Sequence, residues 1–206
     1  IIFLGDRRIA ANAIKLISSP QFSDKFNIKV LVSSDEFISN AKKHLGLNPE
    51  VTISNQSRNI QLIANAIDDL NINLLISVQH NWILSTDILS RVGLAFNLHN
   101  AKLPDYKGYN SISHAIHNRD KKFYSTIHWM AEEVDTGDIA YEYATDIEED
   151  EDAYSLYLKT VESSEKIFHK LLSDLASGLT PSKTQIASKG VFYKRDLLSS
   201  LKDISD

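Results

Sequence analysis

The clearest indication of the fold comes from one stretch of the chain, LLISVQHNWILSTDILSRVGLAFNLHN at residues 74–100. Leu74 to Val78 is a continuous apolar run, and Leu94 to Leu98 is another, reached through a short helical turn that contains Ile88 and Leu89. Apolar strands without alternation are typical of parallel sheets that are covered on both faces. Parallel neighbours need a crossover connection, which is usually a helix. The stretch therefore predicts one strand–helix–strand unit of a parallel sheet.

The alternation of strands and helices continues on both sides of this unit. Strands are predicted at Ile1 to Leu4 and around Ile28 to Val32, and helices from Arg7, over Glu36 to Leu45 and around Ile60 to Ile67. After residue 120, Tyr124 to Glu132 and Ile139 to Thr145 alternate like half-buried strands, either paired antiparallel or separated by a loop. Helical spacing predicts a long helix over residues 154–175. The fold class is therefore predicted to be α/β, a mostly parallel sheet flanked by helices.

The domain organisation is predicted to be simple. Residues 1–178 show no internal repeat and no boundary, and they are expected to form one domain. Residues 179–206 are predicted to be a short C-terminal extension, with a strand at Val191 to Tyr193 and a short helix at Asp196 to Ile204. This extension either covers an edge of the sheet or takes part in a dimer interface.

Composition and charge exclude several classes of protein. The chain has 206 residues, a formal net charge of −5 and no cysteine, so it has no disulfide, thiolate metal site or cysteine nucleophile. No apolar run approaches the ~20 residues that span a bilayer, and an acidic chain lacks the basic surface typical of nucleic-acid binding. We therefore expect a cytoplasmic protein without membrane or nucleic-acid partners. Because the chain begins inside an apolar run at Ile1, we expect a few residues to precede it.

Two polar side chains end the strand in FNLHN at residues 96–100. Because side chains alternate along a strand, Asn97 and His99 point to one side and Leu98 to the other. Open α/β sheets bind ligands at the carboxyl ends of their strands. His exchanges protons near neutral pH, and Asn holds a carbonyl oxygen or its oxyanion by a hydrogen bond. On this segment alone, the alternative is that both are ordinary polar residues at a strand exit.

A third candidate group lies on a turn. The segment EEVDTGDI at residues 132–139 places carboxylates, Asp135 among them, after an alternating strand, and the polar loop LPDYKGYN at residues 103–110 follows His99. An amide, an imidazole and a carboxylate from separate elements meet the needs of acyl transfer. The amide holds the oxyanion, and the imidazole accepts or donates the proton. The carboxylate orients the imidazole or receives its proton.

These motifs together resemble the folate-dependent formyltransferase family, which includes glycinamide ribonucleotide transformylase, methionyl-tRNA formyltransferase and the nucleotide-sugar N-formyltransferases. The matching motifs are Asn97-x-His99, Leu103-Pro104-x-Tyr106-Lys107-Gly108, Thr126-x-His128 and Val134-Asp135-x-Gly137, in the family's order and spacing. The resemblance implies a Rossmann-like formyltransferase core over residues 1–178 and a catalytic triad of Asn97, His99 and Asp135. It implies N10-formyltetrahydrofolate as the donor, and a folate pocket whose candidate residues are Trp82, Leu84, Met130, Glu132 and Val134.

Within the family the chain looks closest to the nucleotide-sugar N-formyltransferases. It has Gly5-Asp6-Arg7-Arg8 after the first strand, where the transformylase branch has a Gly/Ser-rich phosphate loop. The tRNA branch carries a separate C-terminal domain and a basic surface, unlike the short extension and net charge of −5 here. The resemblance implies a dTDP-linked 3- or 4-amino-6-deoxysugar as acceptor, a product used in lipopolysaccharide O-antigen or a related surface glycan, and a homodimer.

Five residues are candidates for binding this acceptor. Arg7 and Lys107 are candidates for the diphosphate, with bidentate geometry available only to the arginine. Tyr106, Tyr109 and Asn110 are candidates for lining the sugar or base pocket. The residues leave the role of His99 open: it either accepts the proton of the amine or donates a hydrogen bond to the oxyanion.

Other functions stay open at this point. They are formyl transfer to glycinamide ribonucleotide or methionyl-tRNA, a non-catalytic folate- or nucleotide-binding module, and a metal-dependent hydrolase built on His99, His128 and Asp135. The full triad argues against the module, because binding alone does not need it in register. His128 either supports Asp135 or is structural. His114 and His117 share a helix face but lack a third ligand, so no metal is expected.

Overall fold

A parallel sheet forms the centre of a computed structural model that describes residues 1–184 and 190–195. Nine strands lie within these residues: β1 Ile2–Gly5, β2 Val30–Ser33, β3 Val51–Ser54, β4 Leu74–Val78, β5 Leu94–His99, β6 Tyr106–Gly108, β7 Lys122–Trp129, β8 Ile139–Asp146 and β9 Val191–Tyr193. The helices in the same residues are α1 Arg7–Ile17, α2 Asp35–Leu45, α3 Ile60–Asp69, α4 Thr86–Arg91, α5 Ser111–His117 and α6 Ala153–Ala176. The helix predicted at Asp196 to Ile204 falls outside the described residues.

Seven strands form one sheet in the order β3-β2-β1-β4-β5-β7-β8. The pairs from β3 to β5 are parallel, whereas β7 is antiparallel to both β5 and β8. The two alternating segments after residue 120 are therefore an antiparallel pair. β6 and β9 form a separate, parallel two-stranded sheet. The predicted α/β class with a mostly parallel sheet is confirmed.

Both faces of the large sheet are buried, which explains the apolar runs without alternation. On one face, Phe3 and Phe96 belong to a core that also contains Phe168 of α6. On the other face, Leu75 belongs to a core that also contains Ile63 of α3. The strands β1, β2, β4 and β5 therefore supply apolar side chains in both directions, as expected for strands between two helical layers.

The longest helix, α6, begins with a capping box. The Asp152 carboxylate accepts a hydrogen bond from the backbone N–H of Ser155 at 2.7 Å, and the Ser155 hydroxyl oxygen accepts one from the backbone N–H of Asp152 at 3.2 Å. This arrangement satisfies two N–H groups that a helix start leaves without partners. The helix dipole also favours negative charge at the start of a helix, which explains the other carboxylates that precede α6.

Two strands were not evident from the sequence. β3 lies at one edge of the sheet and is only partly buried, so it lacks a clear apolar pattern. β6 occupies three residues inside a segment that reads as a polar loop. The strand predicted at Val191 to Tyr193 is confirmed as β9. No helix in the described part of the chain is long and apolar enough to cross a membrane.

Candidate active site

A row of polar side chains crosses three strands at the carboxyl end of the parallel sheet. Ser77 on β4 is in register with Asn97 on β5, and Asn97 is in register with His128 on β7. All three line a cleft of about 650 Å³. Residues in register on neighbouring strands point to the same face of a sheet, so the row presents its polar groups together.

The cleft collects most of the residues that the sequence predicted for the site. Its lining includes Asn97, His99, Asp135, Trp82, Leu84, Met130, Glu132, Val134, Arg7, Tyr109 and Asn110. Tyr106 and Lys107 do not line it. Segments that are distant in sequence therefore meet at the carboxyl ends of the parallel strands, where α/β proteins bind ligands.

Asp135 is held by the turn that carries it. Its backbone has a left-handed φ of +58°, and its Oδ2 accepts a hydrogen bond from the backbone N–H of Gly108 at 2.8 Å. A Cβ at Gly137 would lie 1.9 Å from the carbonyl oxygen of Trp129, so only glycine lets this turn return against β7. Asp135 is 7 % exposed, so its carboxylate is both desolvated and fixed.

His99 is oriented by a backbone carbonyl. Its Nε2 lies 2.8 Å from the carbonyl oxygen of Tyr106 and 3.7 Å from Oδ2 of Asp135. A carbonyl oxygen only accepts, so Nε2 carries the proton of the neutral imidazole and Nδ1 is its basic nitrogen. A second proton on His99 creates an imidazolium beside the Asp135 carboxylate.

His128 connects Asn97 to Asp135. Its Nδ1 lies 2.7 Å from the carbonyl oxygen of Trp129 and therefore carries a proton. Its Nε2 lies 3.1 Å from Nδ2 of Asn97 and 3.3 Å from Oδ1 of Asp135. As a neutral imidazole it accepts from the Asn97 amide, and as an imidazolium it donates to Asp135. The residue whose role the sequence left open thus touches two of the three candidate catalytic residues.

The neighbours of Asp135 decide its ionisation. Burial by itself raises the pKa of this carboxyl, but the opposing effects are larger. Positive charge on His99, the hydrogen bond and charge of His128, and the N–H of Gly108 hold the pKa of Asp135 well below its usual range. At neutral pH the site therefore contains a carboxylate between two imidazoles.

The loop that follows β4 is fixed by His80. Burial lowers the pKa of His80 to about 4, against the raising effect of Asp6, so the imidazole is neutral at pH 7. Its Nε2 lies 2.7 Å from Oδ1 of Asn55, and its Nδ1 accepts from the backbone N–H of Trp82 at 3.2 Å. These two bonds hold Trp82 and the nearby Leu84 at the cleft.

Gln79 lines the same cleft and was not singled out from the sequence. Its φ of +52° is unusual for a residue other than glycine. Its side-chain Oε1 is buried without a hydrogen-bond partner. An unpartnered acceptor of this kind suits a ligand that donates an N–H or O–H group. No signal in the linear sequence marks it, because the strain and the missing partner exist only in the folded chain.

Arg7 is the first residue of α1 and lines the cleft from the start of that helix. Its φ is +68°, and the Asp6 carboxylate accepts from its backbone N–H at 3.1 Å. The hydroxyl of Ser34 donates to the same carboxylate oxygen at 3.2 Å. The start of α1 is thus tied to the start of α2, and the Arg7 side chain is left to line the cleft.

A second arginine reaches the cleft from the C-terminal extension. The Arg195 guanidinium lies 5.0 Å from the ring centre of Tyr109, and the Asn110 amide donates to the Arg195 carbonyl oxygen at 3.3 Å. Phe192 of β9 also lines the cleft. The sequence indicated a strand at residues 191–193 but did not identify either residue as functional, because no local pattern shows where the strand docks.

Tyr106 faces away from the cleft, contrary to the substrate-binding role predicted for it. Its hydroxyl donates to Asp120 at 2.5 Å and accepts from Asn118 at 2.8 Å, and its ring stacks on that of Tyr193. These contacts place the side chain beside a separate, smaller cavity. The neighbouring Lys107 is likewise outside the cleft lining.

Metal-binding geometry does not occur in residues 1–184 and 190–195, where no group of three or more His, Asp or Glu side chains is placed to hold an ion. His99 and His128 each contact the Asp135 carboxylate. His114 is buried and has a tilted ring contact with Tyr193. The geometry thus gives no support to the metal-dependent hydrolase.

Comparison with known proteins identifies a family and several relatives. A family model described as "Formyl transferase" matches residues 8–172. Methionyl-tRNA formyltransferase of Methylacidiphilum infernorum (isolate V4) is 32 % identical over 116 residues, which are 56 % of this chain and 36 % of that protein. The chain spans between 16 % and 36 % of the length of the curated relatives compared.

Solved structures share the fold at low sequence identity. A 4-N formyltransferase from Francisella tularensis has a TM-score of 0.78 at 20 % identity, covering 100 % of this chain and 81 % of that one. An N-formyltransferase from Helicobacter canadensis, in complex with folinic acid and dTDP-3-aminofucose, has a TM-score of 0.69 at 19 % identity, covering 95 % and 72 %.

Proposed function

Because the chain belongs to the formyl transferase family, we propose that it is an enzyme that moves a formyl group from N10-formyltetrahydrofolate to the amine of a dTDP-linked 3- or 4-amino-6-deoxysugar. The observation that carries this proposal is the contact network of Asn97, His128, Asp135 and His99 in one cleft. It combines an amide donor, two imidazoles and a buried carboxylate, which is the set that acyl transfer to an amine requires.

The donor would lie between two loops of the cleft. When bound, N10-formyltetrahydrofolate supplies a formyl carbon that an amine can attack. Trp82 and Leu84 would contact it from one loop, and Met130 and Val134 from the other. The unpartnered oxygen of Gln79 fits a ligand with N–H donors, which a pterin ring and a sugar amine both carry.

The catalytic residues would act on the proton and on the developing charge. The acceptor amine must be neutral to attack, and Nδ1 of His99 is the basic nitrogen available to take its proton. The Asn97 amide would donate to the formyl oxygen as negative charge grows on it. Asp135 would stabilise the resulting imidazolium of His99, from which the proton passes to the departing folate nitrogen.

The acceptor would bind through its diphosphate and its base. Arg7 and Arg195 both line the cleft, and guanidinium groups form bidentate hydrogen bonds with phosphate oxygens. Tyr109 and Phe192 add aromatic surface to the same lining, which suits a nucleotide base. This pairing of cations and rings favours a nucleotide-linked acceptor.

Methionyl-tRNA is the second candidate acceptor, because a methionyl-tRNA formyltransferase is among the relatives in sequence. A net charge of −5 weakens that candidate, since affinity for a nucleic-acid backbone grows with the number of phosphates that cations neutralise.

The test is turnover by the full chain with N10-formyltetrahydrofolate and separate acceptors. These are dTDP-3-amino and dTDP-4-amino sugars, glycinamide ribonucleotide and methionyl-tRNA, with tetrahydrofolate release followed by absorbance. We expect turnover with a dTDP-amino sugar and a loss of about 100-fold or more in His99→Asn. His117→Asn, an exposed histidine outside the cleft, is the matched control and should retain activity.

Each other outcome contradicts a stated part of the proposal. Turnover with glycinamide ribonucleotide or methionyl-tRNA alone would overturn the acceptor. Turnover that His99→Asn leaves unchanged would overturn the assigned chemistry. Absence of both turnover and thermal stabilisation by the folate would overturn the enzyme assignment.

A further inference from the structure

Strand β6 makes contact with two of the candidate catalytic residues. The carbonyl oxygen of Tyr106 accepts from Nε2 of His99 at 2.8 Å. The backbone N–H of Gly108 donates to Oδ2 of Asp135 at 2.8 Å. The orientation of the imidazole and of the carboxylate therefore depends on where these three residues lie.

The strand partner of β6 is β9. Tyr106, Lys107 and Gly108 are in register with Val191, Phe192 and Tyr193, and the pair is separate from the seven-stranded sheet. At its ends, the N–H of Val191 donates to the Asp105 carbonyl at 3.2 Å, and the N–H of Tyr109 donates to the Tyr193 carbonyl at 2.9 Å. The position of β6 is thus tied to the segment 190–195, which we call the strap.

Ring contacts add to this pairing. The rings of Tyr106 and Tyr193 stack with centres 5.4 Å apart and an angle of 13°. The ring of His114, on α5, has its centre 4.1 Å from the ring centre of Tyr193. Tyr193 is therefore fixed between a strand and a helix, and it connects the strap to the protein core.

Two glycines show how closely the strap approaches. A Cβ at Gly190 would lie 1.8 Å from the carbonyl oxygen of Pro104, and a Cβ at Gly108 would lie 2.4 Å from the carbonyl oxygen of Tyr193. Both have positive φ, +84° and +92°. At both glycines the close approach is between two backbone segments, so a side chain at either glycine forces the strap away from β6.

The two ends of β6 do not depend on the strap equally. Tyr106 is also anchored by its hydroxyl, through Asp120 and Asn118. Gly108 has no side chain to anchor it, and it packs against the backbone of Tyr193. Displacing the strap should therefore disturb the Gly108–Asp135 bond more than the Tyr106–His99 bond.

We propose that the strap is a positioning element of the catalytic centre, in which Tyr193 holds Gly108 where its N–H orients the Asp135 carboxylate, and Gly190 allows the strap to lie against Pro104. The inference rests on the proposed formyl transfer for its kinetic readout. Its structural content, the orientation of Asp135 toward two imidazoles, is independent of which amine is the acceptor.

The test compares two glycine substitutions in the full chain. Gly190→Ala introduces the clash with Pro104 away from the cleft lining. Gly178→Ala is the matched control, because its φ of +78° carries the same backbone strain but no atom lies within 4 Å of the added Cβ. We expect Gly190→Ala to lower kcat by about 10- to 100-fold with little change in the KM for the folate, and the control to match the parent chain.

A readout without turnover separates this inference from the proposed function. The imidazole resonances of His99 and His128 are titrated by NMR, with assignments from the His99→Asn and His128→Asn variants. In Gly190→Ala we expect both titration midpoints to move, because the carboxylate that faces the two rings loses the orientation given by the Gly108 N–H. The control should titrate like the parent chain. This comparison stands even if no acceptor is turned over.

Two substitutions of Tyr193 test the same proposal without introducing a backbone clash. Tyr193→Phe keeps the ring stack and should retain activity and titration, whereas Tyr193→Ala should reproduce the Gly190→Ala effects. Unchanged kcat and unchanged midpoints in both Gly190→Ala and Tyr193→Ala would overturn the proposal. A loss of turnover with unmoved midpoints would also overturn it, because the strap would then act on substrate binding alone.

Discussion

At Asp135, groups from three elements act on one carboxylate. His99 comes from β5, His128 from β7 and the N–H of Gly108 from β6. Burial alone would disfavour the charged form, yet the combined effect of these neighbours lowers the pKa of this group. A buried charge whose partners are in place is tolerated, but it becomes costly when a partner is lost.

Replacing this carboxylate should change how stability depends on pH. The folded-state pKa of Asp135 lies below its ordinary value of 3.8, so its stabilising effect is complete above about pH 5 and is lost as pH falls toward the folded-state pKa. We expect Asp135→Asn to lower the free energy of unfolding by about 2 kcal/mol at pH 7 and by much less at acid pH.

Urea denaturation across pH 3 to 7 checks this prediction. Asp24→Asn, a substitution at an exposed carboxylate, serves as the control and should show no comparable trend. A stability difference for Asp135→Asn that stays constant across this pH range would contradict the pKa shift.

Gln79 combines a strained backbone with an unpartnered buried oxygen. Gln79→Gly removes both, so we expect the melting temperature to rise by about 2–4 °C. Arg119→Gly is the matched control, because Arg119 has a similar φ of +55° and is exposed. Arg119→Gly should raise the melting temperature by less, because this substitution relieves backbone strain but removes no unpartnered buried oxygen. A melting temperature that falls in Gln79→Gly, measured by calorimetry, would show that the side chain is stabilising in the free protein.

At the scale of elements, the start of α6 depends on one side chain. Asp152→Ala removes the acceptor for the Ser155 N–H, so we expect the melting temperature to fall by about 2–4 °C. Asp150→Ala is the control within the same acidic run, because Asp150 is exposed and lies before the cap. Equal effects of the two substitutions would mean that charge near the helix start matters rather than the capping hydrogen bond.

The elements differ in how well the sequence predicted them. β1, β4 and β5 were evident because strands covered on both faces have uninterrupted apolar runs. β3 was missed because an edge strand buries less of its surface. β6 was missed because its burial depends on pairing with a distant strand, which no local pattern encodes.

At the scale of the whole molecule, the sequence identified the groups but not their contacts. Asn97, His99 and Asp135 were selected from motifs and meet in one cleft. The register that places His128 between Asn97 and Asp135 follows from the β5–β7 pairing, which the sequence did not predict. Arg195 and Phe192 reach the cleft only because the extension folds back on β6.

The family membership confirms the resemblance read from the motifs. What distinguishes the members of such a family is the acceptor, and acceptor choice depends on a few side chains at one cleft. The side chains that we propose for acceptor binding come from the start of α1, the loop after β6 and the strap, and all of them line the cleft.

The docking of the strap on β6 also has a consequence for how the folded chain opens locally. Asn110 and Arg195, joined by a hydrogen bond, are 85 positions apart in the chain. The strap contains a strand of only three residues, and its Val191 and Phe192 are exposed, so it has few buried contacts and should open at a low free energy. The strap can therefore open while the parallel sheet and its two cores stay folded, and Gly108 then loses the strand that positions it. Hydrogen exchange should show this, with the amides of Tyr109 and Val191 exchanging well before those of β1 and β4.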